Sequence, residues 1–219
     1  MGEIVFVRHG QATFGTDDYD RLSPLGWQQA RWLGEHLASD GWRFDRAIMG
    51  DMRRHRETAS AIADGLVLPD FDVVPGLNEM DFDLLQTDAV SAGVADPGRL
   101  AEPGGFAGEF AKILTAWSSE SFQTMHEPFD LFRARVCDAV DQVAAEGQSV
   151  LIVSSGGPKA VIMRHVLGFG IETMAQIGLD VINSSISRFN VRDGGLSLTE
   201  FNATPHLAGP DRVHARTYI

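Results

Sequence analysis

Cysteine is nearly absent from this chain. Cys137 is the one thiol in 219 residues, which excludes an internal disulfide and any zinc site built on cysteine. It lies near Val136 and Val140 in a helical pattern and reads as a small buried apolar residue. Basic residues are scarce as well: 18 Lys and Arg against 30 Asp and Glu leave a net charge of −12 and a pI near 4.9. That balance provides no basic footprint for nucleic acid or an anionic membrane, so neither is expected as a partner. Long apolar runs are missing too. Nothing reaches the roughly 18 residues of a membrane span, and the four apolar residues after Met1-Gly2-Glu3 are too few for the core of a signal peptide. The expected location is therefore the cytoplasm. No clustered set of metal ligands, repeat or low-complexity tract occurs, and neither metal nor cofactor is expected.

What is present is enough for a sizeable core. Hydrophobic residues make up 44% and charged residues 22%, the proportions of a folded globular chain. The length fits one domain spanning residues 1–219, with room for an insertion. Residues 4–7 form a continuous apolar run, as in a strand buried on both faces of a parallel sheet. Ser23-Pro24 opens a helix that Asp40-Gly41 stops. A second strand at 47–49 leads to a helix over 52–64, and a third strand at Val73-Val74 is closed by Pro75-Gly76. A helix over 130–146 precedes the central strand 149–154, and Pro158 opens the next helix. Residues 185–191 and 196–201, joined by Arg192-Asp193-Gly194-Gly195, read as an antiparallel hairpin. The fold class expected is a three-layer α/β/α sandwich: a mostly parallel central sheet, an antiparallel edge hairpin, and a helical lid insertion over 82–129.

In such a sheet, ligands bind outside the carboxyl ends of the strands. The first strand delivers Arg8-His9-Gly10 to that rim, and the second leads to Arg53-Arg54-His55-Arg56. The third leads to Leu77-Asn78-Glu79 and the central strand to Ser155-Gly156-Gly157. Arginine forks and the N–H groups of a helix start suit a phosphoryl group, a neutral imidazole can attack phosphorus, and a carboxylate can protonate the leaving oxygen. One helix cannot aim three arginines at one spot. His55, inside an Arg-rich helix start, reads as a solvated or supporting residue.

The ordered blocks go further. Residues 4–10 with Gln11-Ala12-Thr13-Phe14-Gly15, then Leu22-Ser23-Pro24-Leu25-Gly26, then Asp51 to Ala59, Leu77-Asn78-Glu79, residues 149–157, and Phe201-Asn202 with His206-Leu207 resemble the histidine phosphatase superfamily, the phosphoglycerate-mutase-like proteins. The resemblance implies that His9 is the phosphorylated nucleophile and Glu79 the proton donor. It implies that Arg8 and Arg54 bind the phosphoryl oxygens, leaving Arg53 and Arg56 at the surface. Ser155 stands where the family usually carries a second histidine, and Ala12 and Gly15 stand where it often carries Ser or Thr and Asn. Gln11, Thr13, Ser155 and Gly156 complete the expected phosphate site. Met80-Asp81-Phe82-Asp83 replaces the usual Gly-rich continuation and makes Asp81 the second candidate for the acid.

The expected function is metal-independent hydrolysis of a small phosphomonoester through phospho-His9. The competing readings are a catalytically impaired phosphate-binding or interaction module, a phosphoglycerate mutase, and a serine hydrolase built on Ser155. The last lacks the glycine that a nucleophile elbow places two positions before its serine. Neither the substrate nor the oligomeric state is readable.

Overall fold

The computed structural model describes residues 2–13, 20–192 and 195–218. Phe14 and Gly15, and Asp193 and Gly194 of the hairpin turn, lie outside them. The sheet contains β1 (Glu3–Arg8), β2 (Arg46–Met49), β3 (Phe71–Val73), β4 (Ser149–Ser154), β5 (Ile186–Arg192) and β6 (Gly195–Ala203), in the spatial order β3-β2-β4-β1-β5-β6. The first four of these in space run parallel, while β5 is antiparallel to β1 and to β6.

Alternation along the strands explains why the sheet is covered twice. In β1, Ile4 and Phe6 join the core on one face, and Val5 and Val7 the core on the other. In β4, Val150 and Ile152 face the first core and Leu151 and Val153 the second. Helices α1 (Pro24–Ser39) and α2 (Arg53–Ala63) cover the second face through Ala30, Leu33, Leu37, Ala59 and Ile62. The first face is covered by α3 (Phe82–Ser91), α5 (Phe106–Ser118), α6 (Phe129–Ala145), α7 (Gly156–Leu167) and α8 (Ile171–Asp180), with the short α4 (Pro97–Ala101) beside α5. The α/β sandwich, the parallel sheet and the edge hairpin expected from the sequence are all borne out. No helix among the described residues is long and apolar enough to cross a membrane.

Three details differ from the sequence reading. The third strand lies at Phe71–Val73, because Val74 already donates to the Met49 carbonyl and enters the turn at Pro75. Helix α7 starts at Gly156, two residues before Pro158. A proline is tolerated anywhere in a first turn, where the N–H has no acceptor within the helix. The segment 82–129, expected as a helical insertion, holds α3, α4 and α5, and Leu85, Ala89, Ile113, Leu114 and Trp117 are part of the main core.

The topology locates a crevice. Adjacent strands β1 and β4 lead to α1 and α7, which lie on opposite faces of the sheet. Their carboxyl ends therefore diverge to either side and leave an opening between them.

Candidate active site

Residues at that opening are fixed by backbone before any side chain is considered. Arg8 pairs with Ser154 across the β1–β4 ladder, and the His9 N–H donates to the Ser154 carbonyl at 2.8 Å, so His9 and Ser155 leave neighbouring strands side by side. The His9 carbonyl accepts from the Ser184 N–H at 3.1 Å. Ser184 holds a left-handed conformation, φ 58°, uncommon for a residue with a side chain and frequent where a site dictates the backbone. Its hydroxyl lies 2.8 Å from Nε2 of the buried His206.

The His9 side chain is 4% exposed, with Nδ1 2.7 Å from the Gly10 carbonyl. A carbonyl only accepts, so Nδ1 carries the hydrogen and Nε2 keeps its lone pair. Burial, then Arg54, Arg8 and His55, push the imidazole well below its ordinary value, which keeps it neutral at pH 7.

Arg54, also 4% exposed, occupies the first turn of α2 and donates to Asp20 Oδ1 at 2.9 Å. Thr58, one turn on, donates to the Arg54 carbonyl and accepts from the Gly10 N–H, tying α2 to the loop after β1. Arg8 donates to the Val181 carbonyl and lies beside the N-terminal turn of α7 at Gly156. Two guanidinium groups and a helix N-terminus thus surround His9 inside an acidic protein. Arg53 and Arg56 turn outward, half-exposed, to Glu57 and Asp51.

Glu79 reaches the same rim from the turn after β3. Its carboxylate accepts from the Gly157 N–H at 2.9 Å and from its neighbour Met80 at 3.1 Å. A Cβ at Gly157 would stand 2.0 Å from Glu79 Oε1, so this approach requires glycine. Arg135 of α6 holds the turn by donating to the Gly76 and Asn78 carbonyls at 2.8 and 2.7 Å while its other edge meets Glu127. Asn78 accepts from the Asp51 N–H at 2.6 Å, linking the turn to the start of α2. Asp81 caps α3 through Leu84 at 3.1 Å, a structural task.

Of the two alternatives for His55, solvated or supporting, the structure removes the first. The side chain is wholly buried, with its ring centroid 5.9 Å from that of His9 and Nε2 2.7 Å from Ser155 Oγ. A signal for this existed: His55 precedes Ala59 and Ile62 by four and seven residues, the spacing of the apolar stripe of α2. Arg135 and Asn78 left no such signal, because their partners are backbone groups distant in sequence. Gln11 and Thr13 stand at the edge of the cluster. Gln11 Oε1 accepts from the Ser23 hydroxyl that caps α1, and Thr13 Oγ1 donates to the Arg21 carbonyl at 3.4 Å. Among the described residues, no group of three or more His, Cys, Asp and Glu is arranged to hold a metal ion.

The fold recurs in known proteins. The crystal structure of a phosphoserine phosphatase from Entamoeba histolytica in complex with 3-phosphoglyceric acid superposes with a TM-score of 0.70 over 94% of this chain and 100% of that one, at 19% identity, a likeness of fold. A metal-independent phosphoserine phosphatase of Arabidopsis thaliana is 26% identical over 226 residues, covering 94% of this chain and 83% of the relative. A 2-carboxy-D-arabinitol-1-phosphatase of Triticum aestivum is 27% identical over 92% of this chain, which spans 41% of the wheat protein's length. The model of the histidine phosphatase superfamily (branch 1) matches residues 4–204, taking in all six strands and the rim loops between them, and the chain belongs to that superfamily.

Proposed function

We propose that this chain hydrolyses phosphomonoesters of small metabolites in two steps through a phosphohistidine on His9. The observation that carries the reading is the state of His9: buried, held neutral by its surroundings, its Nδ1 committed to the Gly10 carbonyl, with Arg54 and Arg8 close by. In the first step Nε2 attacks phosphorus, the P–O ester bond breaks, and the leaving oxygen takes a proton from Glu79. In the second, Glu79 withdraws a proton from water, whose oxygen displaces the imidazole and releases inorganic phosphate. Arg8, Arg54, the Gly156 turn and the Ser155 hydroxyl stabilise the charge on the transferring group, and Gln11 and Thr13 border it. Ser155 takes the place of the second histidine that the resemblance implies there.

The segment 82–129 serves as the lid that selects the leaving group. Phe82 follows Glu79 by three residues and clusters with Phe106 and Phe110, their ring centroids 5.0 to 5.9 Å apart, which supports an apolar wall near the proton donor. A phosphorylated hydroxy acid or amino acid fits a site of this charge, and the phosphoserine and 3-phosphoglyceric acid of the Entamoeba complexes are the first compounds to try. The chain works in the cytoplasm, a placement supported by its lone buried thiol.

A panel of phosphomonoesters run on wild type and His9→Ala together tests the reading. Turnover is expected in wild type alone, unaffected by chelators, with quench-flow from a labelled substrate trapping a base-stable, acid-labile phosphoramidate. Label on serine, loss of activity in chelator restored by magnesium, or equal turnover in His9→Ala would overturn it.

A further inference from the structure

Ser155 occupies the N-cap of α7, yet its hydroxyl makes no bond to that helix. A serine at this position ordinarily accepts from an N–H of the first turn, and the loss of such a cap costs about 1 kcal/mol. Here the Gly157 N–H is given to Glu79, and the Ser155 hydroxyl turns to His55 Nε2 at 2.7 Å. Both side chains are wholly buried. On the far side of the ring, Nδ1 lies against the Gly50 backbone so closely that a Cβ at Gly50 would fall 2.3 Å from it. The chain thus gives up a helix cap, requires a glycine and buries two polar groups, each with a desolvation cost, to set a histidine against one hydroxyl. Packing alone would be satisfied by an apolar pair.

The direction of that hydroxyl gives the pair a purpose. Ser155 and His9 leave adjacent paired strands, and the His55 ring lies 5.9 Å from the His9 ring. A hydroxyl has one hydrogen and two lone pairs. When Nε2–H donates to Oγ, the hydroxyl hydrogen is freed to point into the space in front of His9. When the site is empty, the Gly50 backbone beside Nδ1 favours a hydrogen on that nitrogen, and the hydroxyl then donates to Nε2 instead. An arriving phosphoryl anion selects the first arrangement, because only that one turns a donor toward it.

We propose that His55 is a positioning residue of the phosphoryl site: through Nε2 it holds the Ser155 hydroxyl so that its hydrogen meets an oxygen of the group transferring to His9. The inference rests on the phosphatase reading for its substrate, but not for its test. His55 touches neither substrate nor reacting atoms and acts through Ser155.

Four variants decide it: His55→Leu, His55→Gln, Ser155→Ala, and the double change of His55→Leu with Ser155→Ala. His55→Leu and Ser155→Ala are each expected to lower kcat by about 10- to 100-fold with KM within about threefold, below or at the low end of what the loss of one transition-state donor costs elsewhere. The double variant is expected to match the single ones, since both break the same link. His55→Gln, whose side-chain amide also carries a donor, is expected to recover most of the loss. Vanadate binding, measured by calorimetry, provides a readout that needs no turnover: His55→Leu and Ser155→Ala should weaken it equally and His55→Gln little. A His55→Leu variant with wild-type kcat and vanadate affinity, losses that multiply in the double variant, or no rescue by glutamine in a folded protein would each overturn the proposal. Should wild type hydrolyse nothing, the function proposed above fails while the vanadate series still judges His55. Should His55→Leu not fold, Ser155→Ala against His55→Gln carries the same comparison.

Discussion

Glu79 shows how a single side chain is set for one step and not another. Both its oxygens are held by backbone N–H groups, Gly157 and Met80, so its direction is fixed without a long side-chain network. An alkoxide leaving group needs a proton as the P–O bond breaks, whereas a phenolate leaves without one. Glu79→Gln keeps the size and loses the proton, so turnover of an alkyl phosphate should fall by about 10²- to 10⁴-fold and that of an aryl phosphate far less. Steady-state rates on one ester of each kind settle it, and equal losses would remove Glu79 from the acid role. His9, Arg54 and Ser155 were legible as one cluster because each follows a strand whose apolar run marks it as buried, and Arg8 ends the first of these. Their clustering is then a consequence of the parallel sheet. Glu79 instead follows the exposed edge strand Phe71–Val73 and stood out only through the resemblance. His55 was left between a solvated and a supporting role because a histidine amid three arginines looks exposed until its register with Ala59 and Ile62 is counted. Arg135 is legible only in three dimensions, since it recognises two carbonyls on a turn 57 and 59 residues away.

At the scale of an element, the first turn of α7 carries two tasks at once. Its N-cap hydroxyl belongs to His55 and its second N–H to Glu79, so the helix start is held by the site it serves. Gly157→Ala tests this arrangement without touching a charged or nucleophilic group. The added Cβ would lie 2.0 Å from Glu79 Oε1 and 2.7 Å from Met80 Cε, and something must move. Alanine suits a helix interior better than glycine by about 1 kcal/mol, so the helix itself will not object. The outcome expected is a folded protein whose losses on alkyl and aryl phosphates follow those of Glu79→Gln. Wild-type kinetics in Gly157→Ala would show that Glu79 works from another position. The elements themselves were readable where capping and periodicity agreed, as at Ser23-Pro24 for α1 and along the valine stripe of α6. Helices α3 and α8 were not: the Asp81 cap sits beside Glu79 and Asp83, where acidic side chains mask a capping signal, and α8 follows directly on the Gly168 stop of α7. The β3 boundary was misplaced because an edge strand takes its register from its partner, and Phe71, not Val74, pairs with Ala47.

Across the whole molecule, the conditions that keep His9 neutral also make the fold sensitive to acid. His9 and His55 are held well below the ordinary histidine value chiefly by burial, and His206 is pushed down to about 3 by burial and nearby cations. The unfolded chain binds protons at all three near the ordinary 6.5, while the folded protein binds none until far lower. Below pH 6.5 the unfolded state therefore holds more protons, and stability falls as pH falls. At 1.36 kcal/mol per unit for each group, three such histidines remove about 4 kcal/mol between pH 7 and 5.5, a large share of the roughly 5 to 15 kcal/mol that holds a domain together. The same sign gives activity the opposite tolerance: the nucleophile stays unprotonated as pH drops, so the acid limb of kcat/KM attributable to His9 should lie well below pH 6.5 wherever the protein is still folded. Urea unfolding at half-unit steps from pH 7.5 to 5.5 should show midpoints dropping steeply below pH 6.5 with little change in slope. His206→Gln, which removes one of these groups and keeps a side chain able to meet Ser184, should reduce the acid-dependent part of the loss by about a quarter, since burial holds His126 below the ordinary value as well. Midpoints that stay level through this window would mean that these imidazoles already carry protons in the folded protein, and with His9 charged the nucleophile reading would have to be given up; an undiminished pH dependence in His206→Gln would remove His206 alone from the account.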